Sequence, residues 1–110
     1  LNKLKLKELT DDEKCWCFWY LGQCHFIMKK YKKMEFFYNE NVKLALKMNH
    51  ERVSFFCAHL IISEILNKNY EEIEKNLRIV KNMEDRSYGL LKIGLSIYNK
   101  IKEKKDWESL

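Results

Sequence analysis

A chain of 110 residues with no proline and only three glycines has few ways to make a tight turn. β-Sandwiches and α/β folds need many such turns, and those turns draw on Gly and Pro for the φ values they require. The shortage points to an all-α protein whose breaks are short and polar, and it excludes collagen-like and proline-rich segments. Apolar residues make up 46% of the chain and charged ones 34%, the balance of a globular unit with a core. A chain of this length buries about two-thirds of its unfolded surface, so the core is of modest depth and neighbours could complete it.

Charge and cysteine usage narrow the classes further. The formal net charge is +5, from 21 basic and 16 acidic residues, and eighteen of the basic residues are lysine. Nucleic-acid grooves lean on arginine forks, so the excess reads as a solvated face and nucleic acid is not the expected partner. Four cysteines, Cys15, Cys17, Cys24 and Cys57, are too few for a secreted disulfide framework in a chain able to build a core. Reduced, buried thiols in a cytoplasmic protein are expected. No apolar run reaches the roughly 20 residues of a membrane span, and Leu1-Asn2-Lys3-Leu4-Lys5 has no signal-peptide core. No membrane partner is expected. The absence of an initiator Met suggests a piece of something longer.

Hydrophobic spacing predicts a series of helices. Thr10-Asp11-Asp12-Glu13 reads as a capping box, in which the Thr10 hydroxyl accepts from the Glu13 backbone and the Glu13 carboxylate reaches back. A helix should run from there to about Met28. The next covers Tyr31 to Met48, with Met34, Tyr38, Ala45 and Met48 on its inner face. A third, from Glu51 to Leu66, carries two apolar rows (Val53, Phe56, Cys57, Leu60, Ile61 and Phe55, Ala58, Ile62, Leu66), the mark of a helix sandwiched between layers. Asn67-Lys68-Asn69 closes it, Asn being the usual substitute for Gly in a left-handed position. A fourth helix from Tyr70 to Asn82 buries Tyr70, Ile73, Leu77 and Val80 and pairs Glu71 with Lys75 and Glu74 with Arg78 outside. A fifth, from about residue 85 to Lys102, buries Tyr88, Leu91, Leu95 and Tyr98 and, on a second row, Leu90, Ile93, Ile97 and Ile101. The start of a sixth follows at Trp107.

Three breaks share one form: Lys29-Lys30-Tyr31-Lys32-Lys33-Met34, Lys68-Asn69-Tyr70-Glu71-Glu72-Ile73 and Lys105-Asp106-Trp107-Glu108-Ser109-Leu110. Each is a polar turn, an aromatic, two polar residues and an apolar one. Their spacing implies units of about forty residues, each a pair of helices that buries its second face only by stacking on another. The expected pairs are 11–48, 51–83 and a truncated 86–110, in a single domain over 1–110.

These residues resemble the tetratricopeptide repeat. Phe18-Trp19-Tyr20-Leu21-Gly22 matches the aromatic and Leu-Gly of its first helix, Tyr31 the aromatic after the turn, and Met34 and Tyr38 the small and aromatic positions of its second helix. Leu60, Tyr70, Ile73, Leu77 and Val80 match in the second unit, and Ile97, Trp107 and Leu110 in the third. The chain departs from the pattern at Ile61 and Tyr98, where the family prefers Gly or Ala, and in lacking the helix-ending proline. The long second helix, ending Lys43-Leu44-Ala45-Leu46-Lys47-Met48-Asn49-His50-Glu51-Arg52, is similar to that of intracellular peptide-pheromone receptors of the Rap and Rgg kind.

The resemblance implies a short right-handed α-solenoid of about 2.5 repeats whose first helices line a concave groove. Carried over by position, the groove residues are Trp16, Trp19, Gln23, Phe26 and Ile27 in the first unit, Phe55, Ala58, Ile62 and Ile65 in the second, and Lys92, Leu95, Asn99 and Lys102 in the third. Such a groove runs from aromatic to polar and basic and suits a peptide with a bulky apolar end and an acidic or carboxyl end. Asn99 could both donate to and accept from a peptide backbone. Only Lys92 occupies a carboxylate-clamp position, with Gln23 a near match and Trp19 where a Lys is wanted. The competing expectation is that Trp16 and Trp19 are core, packed on another repeat or a second copy of the chain, in a structural or oligomerisation segment with no ligand of its own.

No cofactor and no enzymatic chemistry are expected. Residues two apart on a helix point to nearly opposite sides, so Cys15 and Cys17 cannot share a metal or a disulfide, and Cys24 and His25 diverge as well. Cys57 and His59 face different directions, and no Gly-rich phosphate loop is present. His25 and His59 read as partly buried helix residues. The acidic pairs Asp11-Asp12 and Glu71-Glu72 complement helix dipoles.

Overall fold

The expected capping box forms. The Thr10 hydroxyl accepts from the Glu13 backbone N–H at 3.2 Å, and the Glu13 carboxylate accepts from the Thr10 N–H at 3.1 Å. It opens helix α1 (Asp11–Ile27), which is followed by α2 (Tyr31–Lys47), α3 (Val53–Leu66) and α4 (Tyr70–Lys81). The computed structural model describes residues 8–81, 96–100 and 102–103, of which the last two stretches are also helical. Among the described residues there is no strand, and no helix is long and apolar enough to cross a membrane. The expectations for Tyr88 to Leu95, Ile101, Trp107 and Leu110 lie outside the described residues, as does the side chain of Val80.

Each helix packs on the next, α1 on α2, α2 on α3 and α3 on α4, as short connections between antiparallel neighbours require. Three of those connections close in the same way. Lys29, Asn49 and Lys68 each sit at positive φ (60°, 52° and 60°). The next residue's N–H reaches back five positions, Lys30 to His25 O, His50 to Ala45 O and Asn69 to Glu64 O, each at 2.8 Å. This is the Schellman closure, which satisfies carbonyls a helix end would otherwise leave open. The left-handed residue at the α3 end is thus Lys68 and not a flanking Asn. Those asparagines are occupied elsewhere: Asn67 Nδ2 donates to Tyr31 O (2.8 Å) and Glu35 Oε1 (2.9 Å), and Asn69 Nδ2 to Glu35 Oε2 (2.9 Å). They fasten the α3–α4 turn to the start of α2.

The core runs through Cys15, Met34, Tyr38, Val42, Ala45, Val53, Phe56, Cys57, Leu60, Ile61 and Ile73, with Tyr98 also buried. α1 and α2 approach closely at one point, where a Cβ on Gly22 would lie 2.3 Å from Tyr38 Cε1. Helix α3 is buried on its first apolar row as expected, while on the second Phe55 and Ile62 are half-buried and Leu66 is exposed. It begins at Val53 rather than Glu51. His50 holds this start, its Nδ1 accepting from the Arg52 N–H at 2.9 Å and its Nε2–H donating to Asp12 at 2.6 Å.

Three further expectations are corrected. Ile97 is 43% exposed, because the helical stretch at 96–100 turns Tyr98 inward, where its hydroxyl donates to Glu74. Glu74 also pairs with Lys102 at 3.6 Å and not, as expected, with Arg78. Of the thiols, Cys15 and Cys57 are buried, but Cys17 is half-buried and Cys24 exposed, since α1 covers only one stripe of its surface against α2 and α3.

Candidate functional site

Of the residues assigned to a groove, Trp16, Trp19 and Phe55 come together. Trp16 and Trp19 are one helical turn apart on α1, with ring centroids 5.7 Å apart and edge-on. Phe55 near the start of α3 meets both, at 6.0 Å and 5.5 Å. Edge and tilted geometries of this kind are the favourable ones for aromatic pairs. All three rings are half-buried and pack against the core from its edge, so they form a panel that is both core wall and surface. Tyr20, 60% exposed, extends it from Trp19 at 5.0 Å.

His59 completes the panel, a role that sequence reading passed over. Its ring lies 4.7 Å from Phe55 and 5.4 Å from Trp19. Nδ1–H donates to Phe55 O at 2.9 Å, which leaves Nε2 as the lone-pair acceptor. Burial lowers the His59 pKa, partly opposed by that backbone bond, and so favours the neutral ring. The available signal was its i,i+4 spacing from Phe55, which puts both on one face. Trp19 Nε1, Tyr38 Oη and Asn41 Oδ1 are buried and have no hydrogen-bond partner among the described residues.

The remaining assigned residues are more dispersed. Gln23 is half-buried one turn beyond Trp19, and Ile62 and Ile65 are half-buried further along α3, whereas Ala58 is buried. Phe26 is 43% exposed and Ile27 77% exposed at the end of α1, where Phe26 faces Tyr31 across the turn at 6.4 Å. Asn99 and Lys102 are exposed, and Lys102 is engaged with Glu74. Lys92 and Leu95 lie outside the described residues.

Titratable groups away from the panel are set by burial. Burial pushes the Cys15 thiol up to about 11, with Asp12 and Asp11 adding to the effect, and the Cys57 thiol up to about 12, with Glu64 adding. Neither is a thiolate near neutral pH. Glu64, only 2% exposed, is raised to about 8 by burial, against the opposing bonds from Asn76, whose Nδ2 donates to both carboxyl oxygens at 2.9 and 2.8 Å. Among the described residues no three His, Cys, Asp or Glu side chains gather as a metal site would need.

What the fold and this site define is an all-α protein of sequentially packed helix hairpins with an aromatic panel shared by its first and third helices. Comparison with protein-family models, curated proteins and solved structures finds no match.

Proposed function

We propose that this chain is a helical-repeat interaction module of a cytoplasmic regulator or adaptor. Its hairpins stack as a short right-handed solenoid of tetratricopeptide type, and it binds a peptide or protein segment across α1 and α3 without enzymatic chemistry. The observation that carries this reading is the half-buried panel of Trp16, Trp19, Phe55 and His59, contributed by the first helices of two successive hairpins. Two others support it. The same Schellman turn precedes Tyr31 and Tyr70, and Gly22 and Tyr38, two of the positions on which the resemblance rests, pack directly on each other. A signalling peptide is the narrower candidate ligand. Its apolar side chains would lie on the rings while its backbone N–H groups meet acceptors such as His59 Nε2.

The test is selection from a displayed random-peptide library on the folded protein, followed by affinity measurements with Trp16→Ala and Gln23→Ala. Enrichment of aromatic or aliphatic peptides that bind either variant at least tenfold more weakly is expected. No enrichment, or equal binding by both variants, sinks the groove. Tyr20, exposed beside Trp19, favours a second reading in which the panel's edge is covered by a flanking repeat or a second copy. Sedimentation over a range of concentrations separates a second copy from a peptide ligand, since only the second copy predicts concentration-dependent association of the chain alone.

A further inference from the structure

The turn between α1 and α2 presents a surface unrelated to the aromatic panel. Phe26, Ile27 and Met28 are 43%, 77% and 50% exposed, and Lys29, Lys30, Lys32 and Lys33 follow at once, all exposed. No acidic residue interrupts the stretch from Phe26 to Lys33. Lys68, also exposed, is brought alongside with Leu66, 38% exposed, because Asn67 bonds to Tyr31 and Glu35. An open hollow of about 380 Å³ between the turns is lined by the four lysines of the first turn with Tyr31 and Asn67.

The carboxylates at this end do not neutralise the lysines pairwise. Glu35 is held by the side-chain amides of Asn67 and Asn69. Glu71 and Glu72 open α4, and no ion pair joins any of the three to these five lysines among the described residues. At the equivalent place on α2, the first turn carries no acid at all.

We infer that this turn is a docking surface for a membrane leaflet rich in anionic lipid. Ile27, Met28 and Phe26 enter the interface between headgroups and acyl chains, while Lys29, Lys30, Lys32, Lys33 and Lys68 meet lipid phosphates and carboxylates. Apolar residues flanked by lysines are what an interfacial contact needs, and one without the other binds weakly. The exposure agrees, since Phe26, Ile27 and Met28 stand open to solvent beside the lysines, as contact with a flat, deformable surface requires. So does the choice of lysine, a mobile point charge that follows headgroups, in place of the arginine fork that reads a fixed anion. A spanning helix is not required for a protein that rests on a membrane, so this narrows the sequence-based expectation of no membrane partner to the absence of a span.

The test is co-sedimentation of the full chain with sucrose-loaded vesicles, made either of phosphatidylcholine alone or of equal parts phosphatidylcholine and phosphatidylserine. Binding to the mixed vesicles only, weakening as salt rises, is expected. Lys29→Glu with Lys30→Glu should weaken it by about thirtyfold or more, from the loss of two headgroup attractions. Ile27→Ser with Met28→Ser should weaken it at unchanged charge. All four positions are exposed, so circular dichroism should show unaltered helicity. No binding to the mixed vesicles overturns the inference, as does equal binding to the neutral ones. Full binding by the serine variant also overturns it and would make the turn a site for soluble polyanions, such as heparin or an acidic peptide.

Discussion

Replacing Gly22 by Ala sets two opposing effects against each other, and the structure decides between them. In a helix interior the change should stabilise by about 1 kcal/mol, because Gly has the poorer helix propensity. Here the new methyl would lie 2.3, 2.5 and 2.8 Å from Cε1, Cδ1 and Cζ of Tyr38, where carbon atoms rest at about 3.5–4.0 Å. Relief means moving the ring or the helices by about 1 Å. Tyr38 is fully buried and backed by His59 at 5.6 Å, so the ring has nowhere to turn. Overpacking of this kind costs up to about 3 kcal/mol, which outweighs the gain in propensity and leaves Gly22→Ala about 2 kcal/mol less stable. The midpoint of thermal unfolding should fall by about 10 °C in a chain of this size. Urea unfolding followed by circular dichroism measures the free energy, with an unchanged slope expected if both end states keep their compactness. The decisive comparison uses a Tyr38→Val background, in sulfate if added stability is needed. With the ring gone, Gly22→Ala should reverse sign and stabilise, because only the propensity effect remains. A Gly22→Ala protein as stable as the parent, or a cost that persists without the ring, refutes the reasoning.

Three other outcomes are expected. Glu64 takes up its proton more readily in the fold, with a pKa of about 8 against an ordinary 4.5. The folded chain therefore binds more protons than the unfolded one across that window, and this group's contribution to stability falls as pH rises through it. Urea midpoints from pH 4.5 to 8 should decline less for Glu64→Gln than for the parent, and parallel declines would show that Glu64 is ionised in the fold. Thr10→Ala removes the hydroxyl half of the capping box and keeps the backbone half, in which the residue-10 N–H donates to Glu13, and should cost about 1 kcal/mol in the same unfolding assay. A colorimetric thiol reagent should modify Cys24 first in the native protein, because it alone of the four is exposed, and should reach Cys15 and Cys57 only on unfolding. Rapid native modification of Cys57, read by peptide mass, would contradict its burial.

The helices were legible because their signals are local. Thr10 with Glu13 marks the start of α1, and the spacing of Met34, Tyr38 and Ala45 marks the inner face of α2. The turn at Lys68 shows where locality fails. Propensity assigns the left-handed position to an asparagine, and a lysine there costs roughly 1–2 kcal/mol. Yet Lys68 takes it, which leaves both neighbouring amides free to reach Tyr31 and Glu35 on α2. That decision depends on residues more than thirty positions away, and no window along the chain contains them. The aromatic panel was half legible for the same reason. The i,i+3 spacing of Trp16 and Trp19 could be read directly, whereas their meeting with Phe55 and His59 required the packing of α1 beside α3.

Buried polar residues are a different case, since their positions were in view and their chemistry concealed them. Glu64 continues the stripe of Cys57, Leu60 and Ile61 along α3, and Asn76 continues that of Ile73 along α4, so periodicity alone puts both inside. Residue type argues for the surface, because an unpaired carboxylate in a core is costly. Pairing resolves the conflict: the Asn76 amide meets both oxygens of Glu64, and burial holds the carboxyl largely protonated near neutral pH. Apolar rows such as those of α3 tolerate small slips of a neighbouring helix, whereas an amide aimed at two oxygens does not. The pair thus fixes the register of α4 on α3. A polar residue on an apolar stripe should therefore be read as half of a contact, with its partner sought on the facing stripe of the next helix.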